Sequence, residues 1–223
     1  LNITYYPFKP FEVKANQFNV FDIGHSKMYY DFCRGFQDSA DTLCTSDDNF
    51  HVKTVTSQYS WYGDLMLSVD LNKLFLRKIQ HRIIDIMAEE QRIDLIDQSR
   101  KIISQVSDIS FLMDLPLEIS DLPNIDQVIK FAGISFPSDL KAHPEMMLET
   151  LIQTHVELGS KKTIVLTNVS HYITFQQLQK VKQVLQELNA TVILIEYSEC
   201  SRKDKFNVPC YYYVDEDLVD WRS

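Results

Sequence analysis

Glycine is scarce in this chain, with five in 223 residues, at positions 24, 35, 63, 133 and 159. That scarcity excludes the two common phosphate cradles, since neither G-x-x-x-x-G-K-[ST] nor G-x-G-x-x-G occurs anywhere. Gly24-His25-Ser26-Lys27 is a faint echo of such a loop. One glycine cannot form the wrapped nest of backbone N–H groups that a triphosphate needs. Cysteine is sparse too, at 33, 44, 200 and 210, with no C-x-x-C pair and no histidine at zinc-finger spacing. The expectation is reduced thiols in a cytoplasmic protein. No apolar run approaches the roughly 18 residues needed to span a bilayer. The opening LNITYYPFKPFEV lacks the basic-then-apolar form of a signal peptide. The histidines stand outside G-x-S-x-G and H-E-x-x-H contexts, so hydrolytic catalysis has no sequence signature. His171 sits in the loop after a buried strand, where α/β proteins put their sites, but brings no partner motif.

What is present is a strong βαβ signal between Lys161 and Glu196. Two continuous apolar runs, Thr163 to Thr167 and Thr191 to Ile195, have the look of strands buried on both faces of a parallel sheet. Between them Thr174 and Gln177 have capping-box spacing, and Leu178, Val181, Val184, Leu185 and Leu188 recur at helical intervals. Asn189 can take the left-handed conformation that ends such a helix. The fold class is therefore α/β with a parallel sheet.

The rest of the chain divides around this unit. Residues 1–70 read as strands with one early helix that turns Met28, Tyr29, Phe32 and Phe36 inward. Strands are expected at Ile3 to Phe8, Phe18 to Ile23, His51 to Thr56 and Asp64 to Val69, with a mobile polar loop from Gln37 to Asn49. From Leu71 to Leu158 the pattern is helical: one helix to about Gln91, a second pattern from Ile93 to Met113, and two shorter helices stopped by Gly133 and Gly159. The expectation is an α/β head, 1–70 and 159–223, interrupted by a helical leg, 71–158.

Charge has the same uneven character. The net charge of −9 argues against general nucleic-acid binding unless basic residues gather on one face. They do so on the first long helix, where Lys73, Arg77 and His81 fall at i, i+4, i+8, with Lys78 and Arg82 on the adjacent stripe. Such a stripe either is a solvated face or tracks phosphates without reading sequence. Lys161 and Lys162, at the return to the sheet, extend the candidate set. The segment with Asp108, Asp114, Glu118, Asp121 and Asp126 has the opposite sign; it can supply oxygen ligands to calcium but lacks EF-hand spacing. After the first strand of the βαβ unit stands Asn168, where a nucleotide hydrolase would place a metal-binding Asp.

These residues resemble a known family, the type II-A CRISPR-associated adaptation proteins called Csn-two. The resemblance lies in the Lys-Lys pair, the apolar strand ending in Asn, the Thr-capped helix and the second strand ending in Ile-Glu. It continues at Tyr213-Val-Asp-Glu-Asp-Leu218, and is weaker over Asp64 to Arg82 and Asp121 to Phe136. It implies a head that looks like a degenerate P-loop NTPase core without catalytic residues, and a helical leg. It also implies a calcium-stabilised homotetrameric ring that threads onto double-stranded DNA ends without sequence preference. The partners implied are the adaptation integrase proteins and the RNA-guided nuclease of spacer acquisition. By analogy Lys73, Arg77, Lys78, His81, Arg82, Lys161 and Lys162 bind DNA, and Asp114, Glu118, Asp121 and Asp126 hold calcium. No enzymatic activity and no nucleotide are expected. The rivals are a helical protein-interaction module that binds no DNA, and a nucleotide-dependent enzyme with a relocated site.

Overall fold

The computed structural model describes residues 1–118 and 123–222. The chain splits into two compact units, Leu1–Val69 with Ser138–Ser223, and Asp70–Pro137. The first unit begins with β1 (Asn2–Thr4), β2 (Phe11–Glu12), β3 (Phe18–Ile23) and α1 (Ser26–Asp38). β4 (Cys44–Ser46), β5 (Val52–Lys53), the one-turn α2 (Val55–Gln58) and β6 (Tyr59–Asp64) follow. The second unit holds α3 (Leu71–Ile86), α4 (Glu89–Ser110) and α5 (Ile125–Phe131). The first resumes with α6 (Pro144–Glu157), β7 (Thr163–Thr167), α7 (Phe175–Glu187), β8 (Val192–Tyr197), α8 (Lys203–Phe206) and β9 (Cys210–Val214).

Five strands in the order β6-β7-β8-β3-β9 form a sheet in which every neighbouring pair is parallel. The α/β expectation therefore holds, and the β7–α7–β8 crossover lies at its centre. Its helix starts as the sequence implies: Thr174 N donates to Gln177 Oε1 at 2.9 Å, and Gln177 N donates to Thr174 Oγ1 at 3.3 Å. Asn189 ends it with φ at 53°. Side chains alternate across the sheet. Phe21, Ile23, Val165, Ile193 and Ile195 join Met28, Phe32 and Phe36 of α1, and Ile3 and Phe11 of a small antiparallel sheet β2-β1-β4-β5. The burial of all six β3 residues and the first five of β8 explains why these strands read as unbroken runs.

Four expectations change. The segment from Gln37 to Asn49 contains β4, which pairs with β1 and β5, and Thr45 and Ser46 are buried there. The strand expected from Asp64 to Val69 lies earlier, as β6. The Asp64 carboxylate instead accepts from Met66 N at 3.0 Å and Leu67 N at 2.9 Å, turning the chain at the strand's end. The first long helix stops at Ile86, and a new one starts at Glu89. Finally, α6 belongs to the sheet unit, so the helical insertion ends at Pro137 instead of Leu158. Met147, Leu148, Leu151 and Ile152 of α6 are buried in that unit.

Candidate nucleic-acid interface

The second unit positions the basic stripe. Asp70 caps α3, its carboxylate accepting from Lys73 N at 3.1 Å. Leu71 and Phe75 are the buried residues of α3, which leaves Lys73, Arg77, Lys78, His81 and Arg82 exposed. α5 forms the facing wall. A reciprocal Asn124–Gln127 capping box starts it, and Gly133, at φ 66°, follows its end. Beyond that turn Phe136 N donates to Asn72 Oδ1 at 2.9 Å, tying the chain after α5 back to α3.

Between the two helices runs an open groove of about 740 Å³. Lys73, Arg77 and His81 line it from α3, and Lys130 and Asp126 from α5, over a floor that includes Leu76 and Gln80. Lys78 and Arg82 do not line the groove. Neither Lys73, Arg77 nor Lys130 forms an ion pair among the described residues, whereas Arg100 on α4 pairs with Asp97 at 2.9 Å. Three unpaired cations facing one carboxylate suit a phosphate backbone. Lys130 has no periodic signal linking it to α3; only the fold brings it there.

The other residues singled out by sequence are placed apart from the groove. Lys161 and Lys162 line a different cavity, about 770 Å³, at the amino ends of β7 and β8 in the sheet unit. Lys162 Nζ is already engaged, donating to Thr56 O at 2.7 Å. Of the acids, Asp114 and Glu118 are exposed, Asp126 belongs to the first turn of α5, and Asp121 lies outside the described residues. Among the described residues no three His, Cys, Asp or Glu side chains come together as a metal site.

The carboxyl ends of the parallel strands are where α/β sheets hold ligands, and here they are filled by the protein's own contacts. A Cβ built on Gly24 would meet Ser198 O at 3.0 Å, Glu216 N at 3.1 Å and the Asp215 carbonyl carbon at 3.2 Å. The β3–α1 turn is thus packed against backbone. Asn168, left-handed at φ 57°, accepts from Tyr29 OH at 3.0 Å and donates to Asp64 Oδ2 at 3.5 Å, while Tyr172 OH donates to that same Oδ2 at 3.1 Å. His171 is exposed beside this cluster, its ring edge-on to Tyr172.

Next to it lies a charged network that sequence reasoning missed, because its members are far apart in the chain. Asp22 and Glu196 are fully buried, and Arg202 bridges them. Its Nε and Nη2 donate to the two Asp22 oxygens at 3.0 and 2.7 Å, and its Nη1 to Ser170 Oγ at 2.9 Å. Ser170 in turn donates Oγ–H and N–H to Glu196 at 2.6 and 3.1 Å. Burial pushes the Glu196 carboxyl up to about 7, against the Ser170 hydrogen bonds and the Arg202 charge, which pull it down.

Three comparisons bear on these arrangements. A family model described as "CRISPR-associated protein (Cas_Csn2)" matches residues 63–218. No curated protein matches. Among solved structures, one titled as the crystal structure of Stu0660 of Streptococcus thermophilus is similar over 100% of this chain and 77% of that one, with a TM-score of 0.60 and 12% identity. That identity supports likeness of fold alone. No helix among the described residues is long and apolar enough to cross a membrane.

Proposed function

Because the chain belongs to the CRISPR-associated Cas_Csn2 family, we propose that it is a non-enzymatic, sequence-independent clamp on double-stranded DNA ends, acting in spacer acquisition. The observation that carries this reading is the α3–α5 groove, where Lys73, Arg77 and Lys130 are unpaired among the described residues of a chain of net charge −9. Cations held on helices contact the phosphate backbone, and such contacts carry no sequence information. A homotetrameric ring is part of the proposal, and α4 supports it. This 22-residue helix has no buried residue, and Ile102, Val106 and Ile109 form an exposed stripe at 4-3 spacing. Such a stripe is the seam another helix packs against, and a second copy of the chain is the occupant that a ring requires.

Calcium enters the reading through Asp114, Glu118 and Asp121 on the segment after α4. Three carboxylates supply six oxygens at most, the lower end of the six to eight that calcium takes, so carbonyls, water or a neighbouring copy complete the shell. The integrase proteins and the RNA-guided nuclease of the same system are the proposed partners, and the cytoplasm the proposed compartment.

One observation favours a second reading. The same α4 stripe would equally serve a protein-interaction module whose partner is another protein, with no DNA bound. The nucleotide-enzyme rival has less support, since backbone of Ser198, Asp215 and Glu216 packs over the β3–α1 turn. The test is a gel shift of one DNA sequence in linear and covalently closed circular forms, each with calcium and with chelator. Binding to linear duplex alone, and only with calcium, is the expected result. Equal binding to both forms would replace threading by an open groove, and binding to neither would leave the interaction module.

A further inference from the structure

The cationic residues of α3 point along two stripes, and α5 stands against only one of them. Lys73, Arg77 and His81 line the groove, joined across it by Lys130; Lys78 and Arg82 lie outside it. Asp126 lines the groove as well, one helical turn before Lys130 on α5. Resting on the reading of the protein as a duplex binder, we infer that Lys130 is a phosphate-contacting residue of this groove and that Asp126 is its electrostatic brake. In this assignment Asp126 acts on DNA by repulsion and takes no part in holding calcium.

The physical argument is one of position and sign. A phosphate lying between α3 and α5 meets cations on both walls, whereas one lying on the outer stripe meets α3 alone. Attraction and repulsion between exposed charges are screened beyond about 10 Å at 0.1 M salt, so groove-lining charges outweigh those on the far stripe. Asp126 has an ordinary structural role to set against this: an acid in the first turn favours helix formation. That role affects the stability of α5. It does not give a substitution a reason to tighten DNA binding.

Each phosphate neutralised contributes about 0.9 to the slope of log K against log salt on duplex DNA. Lys130→Gln is therefore expected to lower that slope by about 0.9, and to weaken binding about eightfold at 0.1 M if both proteins bind equally at 1 M. Lys130→Arg should restore the wild-type slope. Asp126→Asn should tighten binding at low salt without raising the calcium concentration that half-maximal binding needs. The double variant Lys78→Gln/Arg82→Gln should change the slope by less than Lys130→Gln does. Circular dichroism of each variant checks that the helices persist.

The outcomes separate the two levels of the argument. Wild-type protein that ignores linear duplex even at low salt overturns the duplex reading and this assignment with it. Wild-type protein that binds, with an unchanged slope in Lys130→Gln, overturns the assignment and leaves the reading intact. Weaker binding by Asp126→Asn that additional calcium restores would make Asp126 a metal ligand and refute its role as a brake.

Discussion

Arg202 is the residue on which the sheet unit should depend most steeply. Its guanidinium makes two hydrogen bonds to Asp22, one to Ser170, and lies 3.8 Å from Glu196. Both carboxylates are fully buried and the Arg202 side chain is 14% exposed, so solvent screening is weak. Removing one partner of a buried pair costs about 3–5 kcal/mol, because the remaining charge is left uncompensated. Asp22 would keep the Tyr211 hydroxyl at 2.6 Å, which places Arg202→Ala toward the lower half of that range. With a urea slope of about 2 kcal/mol/M, the midpoint should fall by about 1.5–2 M. Both tryptophans, Trp61 and Trp221, lie in the sheet unit, so their fluorescence follows this unit and not α3–α5. Lys cannot reproduce the two-pronged contact to Asp22, and Arg202→Lys should recover only part of the loss. An Arg202→Ala midpoint matching that of the exposed control Lys180→Ala would refute the claim that this network holds the strand ends together.

Other expectations follow from the same geometry. The Glu196 carboxyl is raised to about 7 in the folded protein, so the folded state binds more protons than the unfolded one from the ordinary carboxylate range up to that value. Its favourable contribution is complete below the unfolded pKa and is lost as pH rises through about 7; Glu196→Gln should flatten this fall in urea titrations at pH 5 and pH 8. Gly24→Ala brings a Cβ to 3.0–3.2 Å of three backbone atoms, and overpacking of this kind should cost about 1–3 kcal/mol in the same unfolding assay. Val106→Glu with Ile109→Glu places two charges on the exposed α4 stripe, and light scattering should report a smaller assembly with unchanged helicity. An unchanged assembly would remove α4 from the self-association surface.

The sequence made the centre of the sheet legible because burial on both faces writes an unbroken apolar run. β3 and β7 have the bounds their runs imply, and Thr174, Gln177 and Asn189 mark the ends of α7 through local hydrogen bonding alone. Legibility failed where burial is polar or tertiary. Thr45 and Ser46 are buried polar residues on β4, and Thr45 Oγ1 donates to Lys53 O at 2.7 Å, which a hydropathy pattern reads as loop. Leu65, Leu67 and Val69 alternate like a strand, although Leu67 is exposed and the Asp64 turn governs the backbone. The period of α6 revealed a helix but not the unit whose core receives Leu148 and Leu151. The candidate site divided along the same line. One helix face was readable from i, i+4, i+8 spacing, whereas Lys130 and Asp126 enter the groove only because α5 folds against α3.

The two units manage charge in opposite ways, and this bears on where a polyanion could act. At the carboxyl ends of the sheet the carboxylates and Asn168 have partners within the fold: Asp22 and Glu196 have Arg202 and Ser170, Asp64 has Tyr172, and Asn168 has Tyr29. A ligand entering there would have to displace charge-assisted hydrogen bonds from buried carboxylates, at a cost of several kcal/mol. In Asp70–Pro137 the cations Lys73, Arg77 and Lys130 are exposed and hydrated, so a phosphate displaces only water and counterions. Weighed by desolvation alone, an anionic partner gains more from the groove between α3 and α5 than from the position the α/β topology would suggest.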